Sequence, residues 1–378
     1  MKLLFPLLGG ASAMFLAMGV ARFSFTPLLP LMQADYTFSD TISGALASSN
    51  YLGYLLGALY ARFVKKESAR LLYNLYIIAS LVFVGLMFVN SQPLWYLLRF
   101  LSGFSSALIF ILGSEFVMDY LVKKEKTEYL GIIYSGIGGG MVLSGLTIPF
   151  LSGFFNSAQI WLWLAVLSII PALFSLYGTP GPTPAVKPPE NEKNISKTIY
   201  LLSVSYFLEG LGYIITGTFL SVIILRSTDS VMFSGYAWVI TGLGAVAITP
   251  LWTAYAKRKG LLNAIMAAFA VQTVSIAAPA FTTNTLINFA GAFGYGGTFL
   301  GVVSLTLAYG RQISPGGSTT ALLTIMFSIG QMLGPFIAGY AADITGGFRI
   351  PVLGAATCTA LGGIIILIIK KGEKNADT

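Results

Sequence analysis

Long apolar runs and short polar breaks alternate along the whole chain. Because an α-helix rises about 1.5 Å per residue, a run of about 20 mostly apolar residues is long enough to cross the hydrocarbon core of a bilayer. Such runs lie at 4–30, 42–62, 69–90, 94–119, 129–153, 158–178, 199–225, 231–255, 261–281, 284–309, 319–342 and 348–369. The pattern therefore predicts an all-α polytopic membrane protein with twelve transmembrane helices.

A proline-rich segment at 179–198 separates the first six predicted helices from the last six, and its composition is typical of an extended linker. The two groups of helices also look related. RFLSGFS at 99–105, near the start of helix four, resembles NFAGAFG at 288–294, near the start of helix ten. These features predict two pseudo-symmetric six-helix bundles, 1–178 and 199–378, of the kind found in alternating-access transporters.

The distribution of charge favours a membrane and sets an orientation in it. Only 10% of the residues are charged and 56% are hydrophobic, whereas soluble domains carry roughly a quarter of their residues as charges. Most of the 22 lysines and arginines lie near the termini and in the loops after even-numbered helices; the other loops carry Asp35, Asp40, Asp229 and Asp343. By the positive-inside rule both termini are expected in the cytoplasm. The net charge of +8 then reflects this rule, and no nucleic acid is expected as a partner.

Residue composition also restricts the chemistry. The chain has no histidine and a single cysteine, Cys358, which excludes histidine-based zinc or haem sites and histidine proton relays. Gly136-Ile137-Gly138 lies inside an apolar run with no preceding strand, so it does not fit a nucleotide-binding loop. No nucleophile clusters with a base. We therefore expect no enzyme activity, no metal and no cofactor, and any proton chemistry falls to carboxylates.

Several stretches resemble a major facilitator superfamily (MFS) transporter. GALYARFVKK at 57–66 sits where that superfamily carries a Gly-x-x-x-Asp-Arg motif between helices two and three, with Ala61 in place of the usual aspartate. The pattern Arg99-x-x-x-Gly103-x-x-x-Ala107 is similar to the helix-four arginine motif, and GQMLGPFIAG at 330–339 is similar to helix eleven. The resemblance covers essentially the whole chain. It implies that helices one, four, seven and ten line a central cavity.

A narrower resemblance points to the YbfB/YjiJ-type branch of the superfamily. RFSFTPLLPLM at 22–32, NYLGYLLG at 50–57 and GLGYIITGTFL at 210–220 are similar to its signature stretches. The branch implies a secondary transporter, and it does not imply a particular substrate.

Three charges lie deep in predicted helices, where each costs about 2.5–3.5 kcal/mol on insertion scales. Glu209 is a candidate for proton coupling; alternatively it forms a permanent ion pair with Arg22 or Arg99. Arg22 is a candidate for binding a substrate carboxylate or phosphate bidentately. The alternative is that it forms an ion pair with Glu209. For Arg99 a structural or proton-coupling role competes with direct substrate contact.

Polar residues at the depth of the implied cavity form a second candidate set. Each is more often a helix–helix hydrogen bond than a ligand contact, but as a group they suggest a mixed polar and aromatic pocket. They are Asn50, Tyr54, Tyr213, Thr216, Tyr295, Thr298 and Gln331.

A candidate cytoplasmic gate lies at the basic helix ends. Glu115 and Asp119 end helix four, and they either form a solvated, locally paired terminus or pair with Arg62 or Arg70 when the inner side closes.

Together these features predict a secondary active transporter in a bacterial inner membrane. We expect it to move a small anionic or zwitterionic organic solute by alternating access, as a monomer surrounded by lipid and coupled to protons. A proton-driven multidrug exporter is the first alternative, since an aromatic cavity also suits lipophilic cations. A lipid flippase and a non-transporting membrane sensor are alternatives of a different class.

Overall fold

The computed structural model describes residues 3–182, 196–314 and 317–376. These residues form twelve long helical segments and no β-strand. The segments are α1 (Leu4–Tyr36), α2 (Asp40–Ala61), α3 (Lys66–Leu86), α4 (Gln92–Lys123), α5 (Leu130–Leu151), α6 (Ser157–Gly178), α7 (Lys197–Thr228), α8 (Val231–Lys259), α9 (Leu261–Phe281), α10 (Thr285–Ile313), α11 (Gly317–Thr345) and α12 (Arg349–Ala376). The twelve predicted helices are confirmed, while most of the predicted linker at 179–198 lies outside the described residues.

Eleven of these segments are long and apolar enough to cross a membrane. The remaining one, α2, has the length to span but carries several serine and threonine residues and Asn50 in its first half. Its polar side is turned inward, because Ser43 and Asn50 are both fully buried. A helix that lines a protein interior tolerates such residues better than one that faces lipid.

Polar residues in the loops begin many of the helices. Ser39, Ser196 and Ser230 each accept a hydrogen bond from a backbone amide in the first turn of the helix that follows. Asn156 forms a capping box with Gln159 at the start of α6. These contacts satisfy amides that have no partner within the helix, so helix ends coincide with the polar breaks in the sequence.

Helix α1 is broken near its middle. Phe15–Val20 is a π-helical turn, and the backbone regains α-helical form only at Phe25. Pro27 has no N–H to bond the carbonyl of Phe23, which accepts instead from the amide of Thr26 at 3.3 Å. The break leaves Arg22 on an irregular turn inside the bundle. Irregular backbone at membrane depth is tolerated where protein or a cavity surrounds it, and broken helices mark transporter binding sites.

The first and second halves of the chain are in close contact at one end. That end carries Asp35, Asp40, Asp229 and Asp343, and we call it the acidic end. Here α2 packs against α11 so tightly that a Cβ on Gly44 would lie 2.1 Å from the carbonyl oxygen of Pro335. Toward the same end, α5 meets α8, where a Cβ on Gly145 would lie 2.8 Å from the carbonyl oxygen of Gly235.

The same helix pairs separate toward the opposite, basic end. A cleft of about 260 Å³ lies between α2 and α11 and is lined by Leu55, Arg62, Thr320 and Thr324. A second cleft, of about 500 Å³, lies between α5 and α8 and is lined by residues that include Leu130 and Lys257. The two halves therefore meet at the acidic end and part at the basic end.

Candidate binding site at the helix break

Arg22 lies at the break in α1 and is almost fully buried, with 2% of its surface exposed. Its guanidinium carbon is 4.6 Å from the ring centroids of both Tyr51 and Tyr54 on α2. Nη1 lies 3.8 Å from the sulfur of Met18, while Nε and Nη2 have no hydrogen-bond partner. The two tyrosine rings thus hold the cation in place by cation–π contact and leave one edge of the guanidinium free.

No carboxylate of the described residues lies within ion-pairing distance of Arg22. A buried charge without a partner costs several kcal/mol. The free edge presents two parallel N–H groups, Nε–H and Nη2–H, which match the two oxygens of a carboxylate or phosphate. The arrangement is suited to bind an anion from outside the chain.

Arg99 on α4 contacts the broken segment of α1. Its Nη1 donates to the carbonyl oxygen of Ala21 at 3.1 Å, and its guanidinium carbon lies 4.4 Å from the ring centroid of Phe25. Its Nε and Nη2 also have no hydrogen-bond partner. Because Ala21 lies where α1 loses its regular backbone bonds, Arg99 satisfies a carbonyl that the break has freed.

Glu209 lies in the second half of the chain, on α7, and is fully buried. Its Oε1 accepts a hydrogen bond of 2.8 Å from Nε2 of Gln272 on α9, and its Oε2 has no partner. Neither Arg22 nor Arg99 pairs with it. The permanent ion pair considered from the sequence is therefore absent in this conformation, because α7 turns the carboxyl toward α9 and not toward α1 or α4.

Aromatic residues predominate where the second half of the chain faces the Arg22 site. Tyr213 accepts a hydrogen bond from Nε2 of Gln331, and its backbone carbonyl accepts from the hydroxyl of Tyr295 at 3.1 Å. Three of the polar residues singled out in the sequence are thus brought together. The ring of Tyr213 stacks on that of Phe299 with an interplanar angle of 6°.

The other polar candidates bond to backbone carbonyls or have no partner. Asn50 donates to the carbonyl of Arg99 at 2.9 Å, which ties α2 to α4. Thr298 turns back to the carbonyls of Gly294 and Tyr295 on its own helix. Thr216 is buried, and its hydroxyl has no partner.

The four gate candidates lie toward the basic end. Arg62 is exposed and lines the cleft between α2 and α11. Arg70 donates to the backbone carbonyls of Leu176, Thr179 and Pro180. Glu115 is exposed and Asp119 half-buried on the last turns of α4. Since this end is open here, pairing in a closed state stays a prediction.

A cluster at the acidic end joins the two halves, and sequence patterns did not reveal it. Asp40 forms a bidentate ion pair with Arg226 of α7, with both N–O distances 2.8 Å. Asp343 of α11 accepts from the backbone amides of Asp40 and Thr41 at 3.1 and 2.9 Å. A carboxylate at a helix N-terminus is stabilising. We call these four residues the acidic-end latch.

In the Asp343→Ala variant, the acidic end is expected to be open more often than in the parent protein. Hydrogen bonds to charged groups contribute about 1.5–3 kcal/mol each, so losing this carboxylate should raise the population of the open form at least tenfold. Ser43 is fully buried behind the latch. With Ser43→Cys in a Cys358→Ser background, labelling by a membrane-impermeant maleimide measures the opening.

Asp35→Ala is the matched control for this experiment. Asp35 also caps a helix at the acidic end, accepting from the amide of Ser157 at 2.7 Å, but both residues belong to the first half of the chain. Labelling of Ser43→Cys should be unchanged by Asp35→Ala. Equal labelling rates in Asp343→Ala and in the parent protein would refute the latch.

Two further residues of the site, Tyr51 and Gln272, were not predicted, although the sequence gives a partial signal for each. Tyr51 adjoins Asn50 and lies three residues before Tyr54, so helical spacing places both tyrosines near one face. Gln272 is an amide in the middle of an apolar helix, which signals a buried polar partner. Neither signal identifies the residue that Tyr51 or Gln272 contacts, because those contacts depend on how the helices are rotated relative to one another.

Comparisons with known proteins give one family and one fold. The family model described as uncharacterised MFS-type transporter YbfB matches residues 14–367. An uncharacterized MFS-type transporter, YceJ of Bacillus subtilis (strain 168), is 24% identical over 351 residues, with 88% of each chain covered. A putative tartrate transporter of Agrobacterium vitis is 24% identical over 390 residues, covering 90% of this chain and 87% of the relative.

Solved structures with the same fold include the nucleoside transporter NupG. Its TM-score is 0.76 at 17% identity, with 98% of this chain and 100% of that chain covered. A bacterial homolog of the human lysosomal transporter Spinster, in an inward-facing and occupied conformation, gives a TM-score of 0.69 at 16% identity, with 96% of each chain covered.

Proposed function

The chain belongs to the YbfB-type family of MFS transporters, and from that premise we propose that it carries a small organic anion or zwitterion with Arg22 as the anion-binding group. Family membership makes it a multi-pass membrane protein that transports small molecules and is not an enzyme. The identity of the substrate, the coupling ion and the bacterial inner membrane as its location belong to the proposal.

The observation that carries the proposal is the free edge of the Arg22 guanidinium. The group is buried and fixed between two tyrosine rings, and its Nε and Nη2 lack partners. In a protein that transports small molecules, an anionic substrate is the simplest partner for such a group. A zwitterion fits through its carboxylate.

One relative supports this chemical class. The putative tartrate transporter of Agrobacterium vitis aligns over 90% of this chain, and tartrate is an organic anion at neutral pH. Because the two sequences are only 24% identical, this relative supports the class of substrate and not tartrate itself.

Alternating access is supported by the shape of the molecule. The acidic-end latch closes one side, and the clefts beside Arg62 and Lys257 open the other. In the proposed cycle, residues 1–178 and 199–378 rock as two units around the Arg22 site. The protein works as a monomer, with the basic end in the cytoplasm.

Proton coupling is assigned to Glu209. No basic side chain of the described residues neutralises its carboxyl in this conformation, and its partner Gln272 is an uncharged amide. Burying an ionised carboxylate without a charged partner is very costly. Glu209 therefore takes up a proton in this buried conformation, and the carboxyl group becomes neutral. Among the described residues, Tyr206, Tyr213 and Tyr295 are titratable groups that lie close enough to interact with Glu209.

The proposal is tested by thermal stabilisation of the purified protein. A ligand that binds only the folded state stabilises it by about 2.7 kcal/mol at 100 times its Kd. The panel is sodium L-tartrate, sodium benzoate, L-alanine and the lipophilic cation tetraphenylphosphonium. Wild type is compared with Arg22→Ala and with Arg258→Ala, which removes an exposed arginine at the basic end of α8.

At least one anion or zwitterion is expected to raise the melting temperature of wild type and of Arg258→Ala. The same compound should leave Arg22→Ala unchanged. Stabilisation by tetraphenylphosphonium alone, retained in Arg22→Ala, would contradict the proposal and favour a multidrug exporter.

A further inference from the structure

A cavity of about 720 Å³ lies at the acidic end, on the second half of the chain. It is lined by residues of α7, of the end of α9 and of the loop that leads into α12. Arg226 and Arg349 both line it, together with the hydroxyl groups of Ser227, Thr282 and Thr283. Its volume is in the range of cavities that hold small molecules. Neither Arg22 nor the rings around it line this cavity, so it is separate from the candidate binding site.

The side chains that line the cavity make it electropositive. None of the described residues in its lining is acidic, whereas two are arginines. Among the described residues, Arg226 and Arg349 are the only basic side chains in the loops and terminal helical turns of the acidic end. Basic residues are depleted on the side of a membrane protein that faces away from the cytoplasm. Two of them that meet at one cavity therefore indicate an anionic ligand.

Arg349 has a guanidinium that is free to bind such a ligand. Its side chain is exposed and makes no hydrogen bond or ion pair with any described residue. A guanidinium binds the oxygens of a carboxylate or phosphate through two parallel N–H groups. Arg349 can therefore bind an oxyanion in the cavity without giving up an existing contact.

Arg226 contacts both the cavity and the acidic-end latch. Its two Nη atoms hold Asp40 at 2.8 Å, yet 47% of its side-chain surface is exposed. Its guanidinium carbon lies 5.1 Å from the ring centroid of Phe348, which also lines the cavity. Ion pairs with an exposed partner contribute little to stability, because water and dissolved ions compete with them. An oxyanion in the cavity can thus compete with Asp40 for Arg226.

Asp40 keeps other stabilising contacts when it loses Arg226. Its Oδ1 accepts a hydrogen bond of 2.7 Å from Nε2 of Gln33 on α1. It is also the first residue of α2, and a negative charge is favoured at a helix N-terminus. Because Asp40 and Gln33 both belong to the first half of the chain, this exchange of partners breaks a contact between the halves without leaving a bare carboxylate.

We propose that the cavity at Arg226 and Arg349 binds an oxyanion, a carboxylate or phosphate group, and that this binding loosens the acidic-end latch. The oxyanion takes Arg226 away from Asp40, so the second half is released from the first at this end. The site does not use Arg22, and the inference holds whether or not Arg22 binds the substrate. A soluble anion and the headgroup of an anionic lipid both carry the required group.

The test is maleimide labelling of Ser43→Cys in the Cys358→Ser background, with the protein in nanodiscs of phosphatidylcholine. Sodium phosphate and sodium L-tartrate are each compared with sodium chloride at equal ionic strength, because salt alone screens an exposed ion pair. Nanodiscs that contain phosphatidylglycerol, without added oxyanion, supply the lipid headgroup. Arg349→Ala removes the free cation, and Arg258→Ala removes an exposed arginine at the basic end.

At least one source of oxyanion is expected to raise the labelling rate about threefold, as loss of one exposed ion pair allows. The increase should persist in Arg258→Ala and in Arg22→Ala and be lost in Arg349→Ala. An increase with phosphate or L-tartrate identifies a soluble ligand, and one with phosphatidylglycerol alone identifies a lipid.

Three results would overturn the inference. The first is an unchanged labelling rate with every source of oxyanion. The second is an equal increase in Arg349→Ala and in the parent protein. The third is an increase that is lost in Arg22→Ala, because the anion would then act through the Arg22 site.

Discussion

Arg22→Lys is expected to bind organic anions about 100-fold more weakly than wild type, although it keeps the positive charge. A lysine ammonium is a point charge and cannot present two parallel N–H groups to a carboxylate. It also cannot lie flat between the rings of Tyr51 and Tyr54, which are each 4.6 Å from the guanidinium carbon. Truncating a buried charged partner costs about 2–5 kcal/mol. Calorimetric titration with benzoate and L-tartrate measures the loss.

Arg258→Lys is the control for this substitution, since Arg258 is exposed at the end of α8. Anion affinity there should equal that of wild type. An Arg22→Lys variant with wild-type affinity would show that charge alone is enough, and the bidentate geometry would then be wrong.

Glu209→Gln is expected to abolish accumulation of substrate driven by a pH gradient while preserving exchange of substrate for substrate. The amide oxygen of the new side chain can still accept the hydrogen bond from Gln272, which in wild type is 2.8 Å long. It cannot take up and release a proton, so the gradient no longer couples to movement. Proteoliposomes with an imposed pH gradient measure accumulation, and counterflow at equal pH measures exchange.

Glu373→Gln provides the matched change from acid to amide. Glu373 accepts from the hydroxyl of Tyr309 at the basic end, away from the Arg22 site, and accumulation should persist there. If Glu209→Gln accumulates substrate as well as wild type does, the proton is carried elsewhere or another ion drives transport.

The helices could be predicted because each of them leaves a local signal. Membrane thickness sets the length of each apolar run, and residues such as Ser39 and Asn156 mark where helices begin. Depth in the helix was likewise enough to predict that Arg22, Arg99 and Glu209 are buried. Gly53 and Gly136 permit close helix contacts, since a Cβ on either would lie within 2.0 Å of a carbonyl oxygen.

The partners of these residues could not be predicted, because they depend on how the helices are rotated and tilted. Glu209 was considered as an ion-pair partner of the arginines, but α7 turns it toward Gln272. Pro27 accounts only for the lost backbone bond to Phe23, and hydrophobicity alone predicts one continuous helix where the π-helical turn lies. The acidic-end latch joins Asp40 and Asp343, which are 303 residues apart, and helix-end residues give no sequence signal of such a contact.

The most direct test of Arg22 as the substrate-binding cation is entrance counterflow in proteoliposomes. Vesicles loaded with unlabelled benzoate or L-tartrate are diluted into the labelled compound, and transient accumulation is recorded for wild type, Arg22→Ala and Arg258→Ala. The account predicts accumulation of at least one anion by wild type and Arg258→Ala, and none by Arg22→Ala. Equal accumulation by Arg22→Ala and wild type would contradict it.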